Sequence, residues 1–229
     1  MLRRTMAAFA SLLVALTFLT ACSSGRPPVG DKAGGLPSNS TSSGTYASSK
    51  FLVPFEVSVP PWLPVRPTED TPHFLTWEQQ GLPAIRFMVP VVVFRPGMTT
   101  PSPVPHDYSS YLLGQARNGA RFGDKAEITI GGRPATIVTA TTPVALDGSL
   151  GCPEQHLDAR EGCFGIQPNL SLRIVVLSVN DQTLLIWLRT DVGTDPQDTA
   201  AKVALFQAML AGLRFSDQIP GPSSSPTHR

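Results

Sequence analysis

Residues 171–190 read SLRIVVLSVNDQTLLIWLRT. Two runs of β-branched and large apolar residues are parted by Asn180-Asp181-Gln182, short polar residues of the kind that turns use. The stretch predicts a β-hairpin. A second one precedes it. In KAEITIGGRPATIVTAT, residues 125–141, Gly131-Gly132 separates two more strand-like runs. Hairpins join antiparallel neighbours, whereas parallel strands need a long crossover between them. Two hairpins in one domain therefore favour an antiparallel sheet over a doubly wound one.

The flanking segments extend this frame. FEVSV, residues 55–59, alternates in polarity and is stopped by Pro60-Pro61. HFLTWE, residues 73–78, is a further strand candidate, and AIRFMVPVVVF, residues 84–94, is the most strand-like run in the first half. Pro90 lies inside that run and cannot donate to a ladder, which predicts an edge, a bulge or a break into two strands. The period then changes. In HDYSSYLLGQARNGA, residues 106–120, Asp107 is placed to cap a helix and Tyr108, Tyr111, Leu112 and Ala116 share one face. The last element, DPQDTAAKVALFQAMLAGLRF, opens with Asp195 as cap and Pro196 at the first helical position. Val203, Phe206, Leu210 and Leu213 recur on one face, and Gly212 closes the helix. A helix with one apolar stripe must lie on a sheet or on another helix. The expected class is α+β: a mainly antiparallel sheet of about six or seven strands with two amphipathic helices.

The order of these elements resembles the Mog1/PsbP-like fold, which several actinobacterial surface lipoproteins share. The likeness rests on the early FEVSVPPWL segment, the helix opening DYSSYLL after the second block of strands, the hairpins, and a final helix running into GLRF. It covers most of residues 51–215. The resemblance implies a binding or accessory protein more than an enzyme, and it carries over no catalytic residue.

The N-terminus supplies an address. Arg3 and Arg4 precede an apolar run from Met6 to Ala21, shorter than the roughly 20 residues that cross a bilayer as a helix. Its flanks are those of a secretory signal. The run ends LTFLTAC, residues 16–22, which resembles the lipobox of bacterial lipoproteins. That resemblance implies cleavage before Cys22 and a lipid on its thiol, with acylation of the new amine, including palmitate. Two or more chains give stable attachment at about 0.8 kcal/mol per buried CH₂. The chain has three cysteines, and an odd cysteine in an exported protein needs an explanation. With Cys22 lipidated, Cys152 and Cys163 are free to pair.

Residues 23–50, SSGRPPVGDKAGGLPSNSTSSGTYASSK, have almost nothing apolar to bury and read as a disordered tether. A flexible chain of that length spans roughly 30 Å. The organisation expected is a signal peptide over 1–21, the lipidated cysteine and tether over 22–50, one domain over 51–215 and a disordered tail over 216–229. Net charge is +1 with both signs scattered, so there is no basic stripe for nucleic acid. The expected location is the extracytoplasmic face of the membrane. The expected partners are the membrane itself and an envelope protein, lipid or glycan.

The most distinctive stretch of the domain is DGSLGCPEQHLDAREGCFGIQP, residues 147–168. Outside the cell its two cysteines are expected to form a disulfide. The loop is then either a structural staple or a recognition loop presenting His156, Asp158 and Arg160. A metal is the least favoured reading, since there is no C-x-x-C pairing. Trp62, after two prolines, and Tyr108 and Tyr111 on the first helix are further candidates for a ligand surface. Trp77 and Trp187, on strands, are expected in the core. No nucleotide-binding loop or paired-carboxylate motif is present, and no cofactor is expected. Ser149 in LDGSLG lacks the glycine two residues before a nucleophile elbow. His106-Asp107 reads as a helix cap beside an exposed histidine. A non-catalytic envelope binding module is thus the first reading. An envelope hydrolase using Ser149 or His106, and a structural envelope component, are the alternatives.

Overall fold

The computed structural model describes residues 44–61, 63–78, 84–156 and 162–218. In chain order the strands before the first helix are β1 (Gly44–Ala47), β2 (Phe55–Val59), β3 (Glu69–Asp70), β4 (Phe74–Trp77), β5 (Ala84–Met88), β6 (Val92–Val93) and β7 (Ser102–Pro103). Helix α1 (Tyr108–Gly114) follows. Next come β8 (Arg121–Ile130), β9 (Arg133–Thr141), β10 (Leu170–Val179), β11 (Gln182–Asp191), helix α2 (Pro196–Ala211) and β12 (Arg214–Phe215).

Both hairpins are present. Ile130 pairs with Arg133 and Val179 with Gln182, so each turn has two residues. All four turn residues are left-handed: Gly131 and Gly132 at φ 50° and 69°, Asn180 and Asp181 at 50° and 62°. This is the turn whose twist matches the strands it joins, and Asn and Asp bear it better than other residues with a Cβ. Gln182 belongs to the strand, not to the turn.

The hairpins form the centre and one edge of a seven-stranded antiparallel sheet, ordered β3-β4-β5-β11-β10-β9-β8. The expected α+β class and strand number therefore stand. Pro90 falls between β5 and β6, the break that its missing N–H predicts.

Alternation along the strands sends side chains to two faces. Leu75, Trp77, Ile85, Phe87, Val175, Leu177, Leu184 and Ile186 face α2 and a separate small sheet, ordered β1-β2-β12. Phe206, Met209 and Leu210 are the buried stripe of α2. Asp195 caps it by accepting from the amides of Gln197 and Asp198. The opposite face carries Phe74, Met88, Val138, Leu172, Ile174, Leu185 and Trp187, covered by α1 and by the segment around the two cysteines. Trp77 and Trp187 are both buried, as strand tryptophans should be.

Two boundaries differ from expectation. Residues 44–47 were expected in the tether, yet Gly44–Ala47 is a strand paired with β2. The cause is Tyr46. Its ring meets Trp77 edge-on at 5.4 Å, and its hydroxyl donates to Asp70 Oδ2 at 2.7 Å. Helix α1 is also shorter than 106–120. It gives way at Gln115 to a tight 3₁₀ turn that ends at Gly119, at φ 106°. The chain continues past Phe215 into a further 3₁₀ turn, Ser216–Gln218. The signal peptide, Cys22 and the tether up to residue 43 lie outside the described residues, as does the tail from residue 219. No helix among the described residues is long and apolar enough to cross a membrane.

Candidate functional site

Helix α1 has only seven residues and cannot cover its face of the sheet alone. Residues 147–152 and 163–166 complete the cover. Irregular backbone laid on a core brings polar groups that need partners. Each finds one. The Cys152 amide donates to Val92 O at 2.9 Å, and the Val91 amide donates to Cys152 O at 2.8 Å. The Ser149 amide donates to Phe94 O at 2.9 Å, and the Phe94 amide donates to Ser149 Oγ at 2.9 Å. From α1, the Tyr108 hydroxyl donates to Leu150 O, and the Tyr111 hydroxyl donates to Ser149 O at 2.6 Å. Cys152 and Cys163 form a disulfide, with Cα atoms 4.3 Å apart. Gly151 fits because a Cβ there would come within 2.7 Å of Pro90 Cβ.

This arrangement revises the candidate ligand surface. Tyr108 is buried and Tyr111 half-buried, and their hydroxyls are spent on backbone carbonyls. Burial pushes the Tyr108 pKa well up and that of Tyr111 to about 12, so both stay protonated donors. Their apolar rings and helical spacing drew them into the core, where an exposed reading had placed them outside. His156 is exposed at the start of the loop tip. Trp62, Asp158 and Arg160 lie outside the described residues.

The hydrolase candidates are not assembled either. Ser149 is buried, with Oγ accepting from the Phe94 amide. His106 is exposed. Asp107 is the N-cap of α1, its Oδ1 accepting from the Ser110 amide at 2.9 Å. That hydrogen bond and others at the cap hold its carboxyl below the usual range. Among the described residues no group of three His, Cys, Asp or Glu is placed to hold a metal.

An aromatic and charged cluster locks the far end of the loop. Phe164 stacks on Phe74 at 4.6 Å and meets Trp187 at 5.4 Å. Arg86 lies 5.2 Å over the Phe164 ring, and Glu78 accepts from Arg86 at 2.8 Å and from Arg189 at 2.9 Å. Partial burial raises the Glu78 pKa, but the two guanidinium groups outweigh it and leave the net shift downward.

What α1 and the loop leave uncovered is a cleft of about 830 Å³ at the hairpin-turn end of this face. Its apolar floor is Val176 and Pro134 from the sheet. Its walls are Pro90-Val91 and Pro103-Val104-Pro105. The rim is polar and carries His73, His106, Asp107, Glu127 and Asp181, with hydroxyls from Ser109, Thr136, Ser178 and Thr183. Among the described residues no lysine or arginine lines it. His73 buries Nδ1 with no hydrogen-bond partner among the described residues. Sequence reasoning noticed His73 and His106 but did not gather this set. The lining comes from seven separate stretches of chain, and no local pattern joins them.

No protein-family model matches the chain, and no curated relative matches it. Among solved structures it is similar to the PsbP protein of the cyanobacterium Synechocystis sp. PCC 6803, at 11% identity and TM-score 0.39, covering 81% of this chain and 98% of that one. It is also similar to the Ran-binding protein Mog1p of Saccharomyces cerevisiae, at 9% identity and TM-score 0.39, covering 76% and 96%. A protein of unknown function from Pseudomonas aeruginosa, a putative regulator by its description, aligns at 14% identity and TM-score 0.34, covering 78% and 99%. The first two bear the names of the fold that the element order resembles. At these identities and TM-scores the likeness carries no argument about function, which rests on the chain's own residues.

Proposed function

We propose that this chain is a membrane-anchored extracytoplasmic lipoprotein whose domain is a non-catalytic binding or accessory module for an envelope component. The observation that carries the binding part is the open cleft, with its apolar floor and polar rim. Its volume lies in the range of about 300–1,000 Å³ common to ligand sites. The anchoring part rests on the lipobox-like LTFLTAC and the polar segment after it. Two features support a binding module over a hydrolase. Ser149 Oγ is engaged by a backbone amide, and the cleft rim does not include Ser149.

The test uses full-length protein purified from its native membrane. Intact mass is expected to show cleavage before Cys22, added lipid, and two thiols that appear only on reduction. The same protein is then titrated with purified envelope lipids, glycans and peptides. Ser178→Trp, which fills the cleft from an exposed position, is expected to abolish whichever binding is seen. Binding that survives Ser178→Trp would refute the cleft as the site. An unlipidated, uncleaved chain would refute the anchor.

A further inference from the structure

Among the described residues, strand β8 is the last strand of the large sheet and pairs only with β9. An unpaired strand edge is a template for another strand, and proteins usually blunt it. Here the blunting covers only the first half. A bulge between Gly123 and Ala126, with Asp124 at φ 51°, bends the strand next to Lys125. Beyond it, Ala126–Ile130 runs in regular register with β9 to the turn, and Glu127 is its one charged residue.

The hairpin decides which groups face outward. In a two-residue turn of this type, Ile130 and Arg133 form the hydrogen-bonded pair next to the turn. Alternation then directs the polar backbone of Ile128 and Ala126 toward β9 and leaves that of Glu127 and Thr129 pointing away from it. Thr129 lies opposite Pro134, which has no N–H to give, in keeping with this phase. The Glu127 side chain lies on the cleft side of the strand, where Thr136 donates to it at 3.0 Å. The free edge and the cleft are therefore one continuous surface.

Its chemistry selects an occupant. Among the described residues Asp107, Glu127 and Asp181 line the cleft and no lysine or arginine does; Lys125, beside it on β8, reaches Glu127 Oε1 only at 3.9 Å. This disfavours an anionic headgroup. Among the described lining residues the one Phe, Trp or Tyr is Tyr108, which is buried and offers a sugar no ring to stack on. Resting on the binding-module reading above, we infer that the edge of Ala126–Ile130, with Glu127 on the cleft rim beside it, docks an extended basic segment of a partner protein. The segment adds as a further strand through the backbone of Glu127 and Thr129. Alternate side chains of the added strand point to the cleft. Cationic ones reach Glu127 on the neighbouring strand, while Val176 and Asp181 lie beyond β9, too far in for this strand to touch.

The test titrates the full chain with a short synthetic peptide of alternating lysine and valine. Its glutamate–valine counterpart, an N-acetylglucosamine oligosaccharide and phosphatidylglycerol vesicles are run in parallel. The lysine peptide is expected to bind and to slow hydrogen exchange at the Glu127 and Thr129 amides. Its affinity should fall up to about fivefold in Glu127→Gln and stay unchanged in Asp181→Asn, which lies beyond β9. It should fall about tenfold or more when its edge-facing amides are N-methylated, a change that leaves the protein untouched. Equal binding of the glutamate peptide, or indifference to N-methylation, would overturn the inference. So would self-association through β8 that excludes the peptide. Binding of only the oligosaccharide or the vesicles in the cleft would overturn it while leaving the binding-module reading intact. Failure of all four probes to bind would count against both.

Discussion

On one face of the large sheet, Phe55 stacks 4.8 Å from Phe87, Trp77 meets Phe87 at 5.7 Å, and Phe206 of α2 closes over them. On the other, two tyrosine hydroxyls hold backbone carbonyls and a disulfide ties the ends of a loop. The difference follows from helix length. Sixteen residues of α2 extend about 24 Å and seven of α1 about 10 Å, at about 1.5 Å per residue. The long helix, with the small sheet, seals its face chiefly by side-chain packing. The short one leaves most of its face to irregular backbone, which must be fastened by hydrogen bonds and a covalent link. Where that cover ends, the cleft begins. One face stabilises the domain, and the other is free to present a site.

The comparison breaks first if the packed face is not the stronger. Phe206→Ala is expected to cost about 3–5 kcal/mol in urea denaturation, by lost transfer and an unfilled cavity. It should leave cleft binding near normal once the protein is folded. A loss under about 1 kcal/mol would mean that α2 is a loose cover.

Removing the covalent fastening should cost less. Cys152→Ser with Cys163→Ser is expected to lower stability by about 2–3 kcal/mol in the chain-entropy model of loop closure. Hydrogen exchange should quicken at Ser149–Cys152 and stay unchanged in α2. Uniform quickening would show that the two faces do not open separately.

The tyrosine clamp sharpens the same division. Tyr108→Phe leaves the buried Leu150 carbonyl without this donor and should cost about 1–3 kcal/mol. Tyr111→Phe, at a half-buried site, should cost about 1 kcal/mol. Equal effects from the two would argue against burial as the reason they differ.

The smallest effect expected is at Glu78. Its folded pKa is depressed, so its contribution is present above the ordinary glutamate value of about 4.3 and fades as pH falls through the lower folded value. Glu78 is 40% exposed, which limits the ion pairs to about 0.2–1 kcal/mol each. Glu78→Gln should lower stability at pH 7 by about that much and reduce the loss of stability on acidification below pH 4.3. An unchanged acid limb would remove Glu78 from the account.

Much of the architecture was legible because its signals are local. Gly131-Gly132, Asn180-Asp181, Asp195-Pro196 and Pro90 each act through their own backbone. The two cysteines could be paired from their number and expected compartment. What escaped depends on distant partners. GTYA looks like tether until Tyr46 meets Trp77 and Asp70, 24 residues or more away. The spacing of Tyr108 and Tyr111 placed them on one helix face. Nothing near them in sequence says that this face is buried, because their acceptors lie 42 and 38 residues on. The cleft was invisible for the same reason: it is the remainder after α1 and the loop have taken their share of the sheet.

The most direct test of a closed face and a presenting face is site-specific photocrosslinking of the full chain in its native envelope. A photoreactive residue is placed at Asp181, on the cleft rim, or at Gln207, on the exposed side of α2. The account predicts one discrete crosslinked partner from Asp181, lost on adding Ser178→Trp, and none from Gln207. A discrete partner from Gln207 with none from Asp181 would contradict it and move the binding surface to the packed face.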